Sequence, residues 1–319
     1  MITTNHYING LNSLISGGER EISIAGIDNA ARSFFLAGLI LEQEKPFLII
    51  LPKARDAVKV MRELEFFLPK GFVSGDQSEK RLFDFPAYDI SPLTGLSPHR
   101  NIINRRLQAL YALTSCKNPV VVTSLEAMLL KVVPKNALIK ALEFLEAGED
   151  FPRDELVKKL EAGGYLRTSL VEEAGDYSIR GGVIDIFPPL YDMPVRLEFW
   201  GDRLESIRHF NPVSQRSIDQ LKEMILLPSS EIIMNDDALQ RARSMGRLPE
   251  QAGEGISFPG QEAWLNHFYQ KPDTLFDYFP SSGIFLLLDS DRIEPEKERF
   301  QFRFEKDTEK YREEAENRG

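Results

Sequence analysis

The side chains best placed to do chemistry are Arg180, Arg196 and Trp200, all within the stretch Tyr177 to Trp200, YSIRGGVIDIFPPLYDMPVRLEFW. The chemistry they suggest is recognition. A guanidinium offers a fixed fork of five N–H donors, and Trp and Arg are the side chains most enriched at the energetic centres of protein interfaces. Val195-Arg-Leu-Glu-Phe-Trp200 alternates strictly, so Val195, Leu197 and Phe199 face one side of a strand and Arg196, Glu198 and Trp200 the other. The first face is core. The second reads in two ways: as a docking surface, or as a second core capped by Trp200, with Arg196 paired to Glu198 or Asp185. Arg180 lies on a different strand and joins the group only if that strand runs alongside.

Gly26-Ile-Asp-Asn-Ala-Ala-Arg-Ser33 has the spacing of a phosphate-binding loop, G-x-x-x-x-G-K-[ST], and is expected between a strand and a helix. The details spoil it. Ala31 brings a Cβ where the backbone must wrap phosphate, Arg32 replaces a compact ammonium, and Asp28 adds a negative charge. Gly26, Ala31, Arg32 and Ser33 are therefore not expected to function as a nucleotide site; they form either an ordinary turn or the relic of one. Asp289 ends an apolar run, and the sequence offers it no partner for a metal-binding strand. The four histidines lack metal-ligand spacing, and no G-x-S-x-G elbow is present. Neither metal, cofactor nor catalytic residue is expected. The most basic short stretch, Ser97 to Arg106, reads as the polar face of a helix or, alternatively, as a phosphate contact through Arg100, Arg105 and Arg106.

These residues must be carried by a sizeable fold. The chain has 319 residues, 42% hydrophobic and 28% charged, with a net charge of −10. Such acidity argues against nucleic acid as the default partner, because phosphate binding needs clustered cations. A single cysteine, Cys116, excludes a disulfide framework, and no signal-peptide pattern or membrane-length apolar run appears, so a cytoplasmic protein without membrane contact is expected. Residues 1–130 alternate strands (Glu21–Ala25, Phe47–Leu51, Pro119–Thr123) with helical patterns, which argues for a parallel α/β sheet. Residues 131–222 read as a small inserted α+β domain. Residues 223–319 return to an α/β pattern, with Gly283–Asp289 expected as a buried strand, and end in a charged helix from Glu294 to Arg318. A chain that stops inside a charged helix suggests a piece of something longer.

The motif order resembles the N-terminal, UvrB-like region of bacterial transcription-repair coupling factors. The matching residues are Gly164-Tyr-Leu-Arg167, Gly175 to Pro188, Pro194 to Asp202, Glu205-Ser-Ile-Arg208 and Gln215-Arg-Ser217, with Phe85-Pro86, Ser97-Pro-His99 and Arg106-Leu107 upstream. The resemblance implies a helicase-like (RecA-like) domain with a degenerate phosphate loop, split in sequence by the inserted domain. It implies that the inserted domain binds UvrA, the damage-recognition ATPase, through positions matching Arg180, Arg196 and Trp200, where Trp200 replaces a frequent phenylalanine. UvrB itself matches less well, because its phosphate loop is intact and its hairpin is rich in tyrosine, whereas Phe85 to Ser97 holds only Tyr88. The full-length family protein is implied to be an ATP-dependent DNA translocase whose motor and polymerase-binding parts lie beyond residue 319. Its C-terminal part is implied to mask the UvrA surface until activation. The expected role is recruitment without catalysis, with DNA binding weak or absent; direct nucleotide or DNA binding is the alternative.

Overall fold

A computed structural model describes residues 2–74, 80–246, 249, 252 and 256–318. The strands are β1 (Phe47–Leu51), β2 (Leu82–Phe85), β3 (Val120–Ser124), β4 (Glu143–Glu146), β5 (Leu166–Arg167) and β6 (Asp176–Arg180). They continue as β7 (Val183–Ile186), β8 (Val195–Trp200), β9 (Arg203–Phe210), β10 (Ser217–Leu221), β11 (Glu223–Leu226) and β12 (Ile284–Leu287).

β1 and β3 are buried at every residue because helices cover both faces of their sheet. Leu48 and Ile50 pack with Ile103, Leu107 and Leu110 of the helix Arg100–Ser115. Phe47, Ile49 and Leu51 pack with Leu39 and Leu64 of the helices Asn29–Glu42 and Ala54–Phe67. The sheet is parallel, in the order β12-β1-β3-β2. Its β12 comes from the far end of the chain, after the whole of β5–β10.

Two strand expectations are corrected. β12 is an edge strand, so only one of its faces is covered: Ile284 and Leu286 pack inward, while Phe285 and Leu287 are about half exposed. Phe285 instead meets Phe276 and Phe279, with ring centres 5.3 and 4.5 Å apart. Glu21–Ala25 forms no strand. Ile22 packs against the same core as Ile284 and Leu286, but Ile24 is exposed, and the segment reaches its helix without pairing to the sheet.

β5–β10 form a six-stranded sheet in the order β10-β9-β8-β7-β6-β5, antiparallel except between β5 and β6. One face buries Ile184, Ile186, Val195, Leu197, Phe199 and Ile207 against Leu156 and Leu160 of the helix Arg153–Ala162. The two-stranded sheet β4–β11 adds Leu145, Met224 and Leu226 to this core. Gly181-Gly182 is a two-residue hairpin turn between β6 and β7. Gly182 has little freedom: a Cβ there would lie 2.6 Å from the carbonyl oxygen of Phe199, whose N–H donates to the Gly182 carbonyl. Asp202, in the β8–β9 turn, accepts from the backbone N–H of Phe151 and Arg153 and so ties the helix start to the sheet.

The six-stranded sheet is fastened to the α/β sheet by polar contacts from the helix Arg100–Ser115. Arg100 pairs with Asp176 at 2.8 Å and Asn104 donates to the Ala174 carbonyl just before β6, while Ser229, in the segment after β11, donates to Asn104. The last helix is Ile293–Arg318, and its side chains are described to Arg312. Among the described residues, no helix is long and apolar enough to cross a membrane, and no group of His, Cys, Asp and Glu is gathered as a metal site would require.

Candidate partner-docking surface

The face of β6–β9 turned away from the core is polar because each of these strands alternates. Cross-strand register sets Asp185 opposite Arg196 and Arg196 opposite Arg208, then Val183 opposite both Arg180 and Glu198. Arg180 and Arg196 are therefore brought together, on strands β6 and β8, with β7 between them. Their common partner is Asp185, whose side chain is only 1% exposed. Arg196 grips it with two prongs, Nε to Oδ1 at 2.7 Å and Nη2 to Oδ2 at 2.9 Å. Arg180 donates to the same Oδ2 through Nη2.

The two arginines differ in what remains to them. Arg196 also donates from Nη1 to the Gln215 carbonyl at 3.2 Å and lies 4.7 Å over the Phe210 ring. Its side chain is 17% exposed, and the hydrogen bond to Asp185 holds its guanidinium pKa above the ordinary value despite burial. Arg180 is 48% exposed, and beyond Asp185 no further partner for it occurs among the described residues. Next on this face, Glu198 accepts from Ser206 at 2.8 Å and pairs with Arg208 at 3.2 Å.

Trp200 ends β8, past an irregularity of register between Glu198 and Phe199, and is 82% exposed. It caps no second core. The pairing of Arg196 to Asp185 occurs, and it coexists with an open face rather than replacing it. Sequence reasoning named Asp185 only as a possible partner and missed Phe210 and Arg208. The available signal was alternation in Ile184-Asp185-Ile186, which turns one carboxylate to the outer face between two core residues.

The other candidate residues are engaged elsewhere. Gly26 precedes the helix Asn29–Glu42, which contains Ala31, Arg32 and Ser33. Arg32 pairs with Asp289 at 2.6 Å, and the buried Ser33 hydroxyl donates to Glu63 at 2.5 Å. Asp289 thus has a partner the sequence did not reveal, 257 residues away; Arg292 reaches it too, at 3.4 Å. In the basic stretch, Arg105 pairs with Asp84 at 2.7 Å. Arg106 is fully buried against Glu231, so it is neither on a polar helix face nor able to touch phosphate.

Residues 144–232 match the family described as the UvrB interaction domain. The chain is 34% identical over 281 residues to the transcription-repair-coupling factor of Myxococcus xanthus, covering 83% of this chain and 23% of that protein. It is 28% identical over 299 residues to that of Escherichia coli (strain K12), covering 90% and 25%, and 28% identical over 323 residues to that of Bacillus subtilis (strain 168), covering 92% and 26%. The chain thus spans about a quarter of the length of these relatives. With its middle third carrying the interaction domain and nearly all of it aligned to such proteins, the chain belongs to the N-terminal, UvrB-like region of the transcription-repair-coupling factor family.

Proposed function

We propose that the outer face of β6–β9 docks UvrA and so recruits excision repair to a stalled transcription complex. One observation carries this reading: the matched interaction domain leaves a tryptophan 82% exposed on the same face as a half-exposed arginine. An exposed indole has no use in stability, while Trp and Arg anchor interfaces. Arg180, Arg196 and Trp200 form the binding set, and an acidic segment of the partner suits it. The α/β sheet is a helicase-like body whose sequence is interrupted by the docking domain; the return of β12 to β1 after β5–β10 supports that division.

The chain works without nucleotide turnover of its own. The two polar groups that a phosphate loop would turn toward nucleotide, those of Arg32 and Ser33, are held by Asp289 and Glu63. Direct DNA binding through Arg100, Arg105 and Arg106 is disfavoured because each is paired to a carboxylate. Calorimetric titration with UvrA tests the proposal. Binding that Trp200→Ala and Arg180→Ala each weaken, with the fold intact, is expected; wild-type affinity in both variants overturns it. ATP turnover that disappears in Arg32→Ala would overturn the non-catalytic role.

A further inference from the structure

The geometry points to Asp185 as the positioning residue of the docking face: through its buried carboxylate, Arg180 and Arg196 act as one unit, and Arg196 contributes to the binding set chiefly by holding that unit. This rests on the docking reading above. Asp185 itself is beyond a partner's reach at 1% exposure, so anything it does passes through the arginines. Its Oδ2 accepts from both guanidinium groups and its Oδ1 from Arg196.

Arg196 is committed on all three nitrogens, two to Asp185 and one to the Gln215 carbonyl, and its flat face lies over Phe210. It offers a partner little, but it fixes the carboxylate in place. It also pins the loop between β9 and β10, where the Asn211 side chain accepts from the backbone N–H of Val213 and Ser214. Arg180 is the reverse case. One prong is tethered to Asp185, and the side chain as a whole is 48% exposed. A long arginine so tethered has surrendered much of its rotamer freedom before a partner arrives, which is how preorganisation raises affinity. The acceptor it is poised for is a carboxylate, a fork-to-fork match.

Charge alone predicts the opposite effect from positioning, which makes the idea testable. Asp185→Asn removes a negative charge from a basic surface, so simple attraction to an acidic partner would tighten binding. Loss of the tether should instead weaken it. UvrA is titrated into the wild-type chain, Asp185→Asn, Arg180→Ala, the Arg180→Ala/Asp185→Asn pair and Trp200→Ala, with amide hydrogen exchange of β6–β9 followed in each. The expected result is a loss of about ten-fold for Asp185→Asn, with Arg180→Ala adding less than about three-fold in that background, since residues acting as one unit are not additive.

Unchanged or tighter binding by Asp185→Asn, or a full independent effect of Arg180→Ala on top of it, overturns the inference while leaving docking intact. If Trp200→Ala and Arg180→Ala both bind like wild type, the docking reading falls and takes this inference with it. If exchange shows that Asp185→Asn loosens the sheet, Arg196→Lys decides. It keeps the charge and the carboxylate but loses the two-pronged grip; weakening of about three-fold or more supports the tether, and native affinity overturns it.

Discussion

Two arginine–carboxylate clusters in this molecule use the same chemistry to opposite ends. In the first, Arg106 is sealed between the rings of Phe85 and Tyr88, 4.1 and 4.4 Å from its guanidinium carbon. Its Nε donates to Glu231 at 2.6 Å and its Nη1 to the Pro86 carbonyl at 3.0 Å, and the Tyr88 hydroxyl also donates to Glu231. Burial pulls the Arg106 pKa down, but Glu231 and Tyr88 more than reverse this. Burial and the same carboxylate push the Tyr88 hydroxyl well above its ordinary range. In the second cluster, Asp185 is just as buried, but one of its arginines keeps nearly half its surface in water. A sealed cluster locks the segment after β2, the helix Arg100–Ser115 and the segment after β11 together. A cluster sealed on one side only leaves an arginine in reach of solvent, as the proposed docking face requires. Exposure of a single guanidinium separates the two.

That contrast can be broken by mutation. Glu231→Ala strands a buried guanidinium and should cost about 3–5 kcal/mol of folding stability, read by denaturant unfolding of the whole chain. A cost under about 1 kcal/mol would mean the cluster is hydrated and the contrast false. Trp200→Ala should cost about 2 kcal/mol of UvrA affinity by calorimetry while shifting stability by no more than about 0.5 kcal/mol. Arg196→Ala should cost both, because it leaves the Asp185 carboxylate with a single partner: about 1–3 kcal/mol of stability, together with weakened UvrA binding. Arg180→Ala sharpens the comparison from the other side, with a stability loss below about 1 kcal/mol alongside its binding defect, because Arg180 is already half in water and Asp185 keeps both hydrogen bonds from Arg196. The smallest effect expected is that of salt. Raising ionic strength should weaken UvrA binding by a few-fold and leave the Arg106–Glu231 contribution to unfolding nearly unchanged, because exposed charges are screened and buried ones are not.

What could be read in the sequence followed a physical rule. β1 and β3 were legible because a strand buried on both faces is apolar throughout. That Arg196 and Trp200 share the face opposite the core was legible because alternation along β8 is local, whereas its being open rather than a second core was not. β12 was misjudged as buried, since an apolar run looks the same whether its sheet continues or ends beside it. Glu21–Ala25 had the pattern of a strand but finds no pairing partner in the sheet. Arg106 was read as surface because the residue that makes its burial tolerable, Glu231, lies 125 positions away. The meeting of Arg180 and Arg196 on Asp185 depends on which strands are neighbours and in what register, and neither is written in one strand's own pattern.

The late return of β12 has a consequence in time. The sheet from β6 to β10 is built from strands that follow one another, so each pairing closes a short loop. The α/β sheet cannot be completed until Ile284 finds Phe47, 237 residues earlier in the chain. Closing so long a loop is slow, because its entropy is lost before its contacts form. On synthesis or refolding, the amides of β6–β9 should gain protection before those of β1 facing β12, an order that pulsed hydrogen exchange can read directly. The proposed docking surface would then exist before the body that carries it is finished.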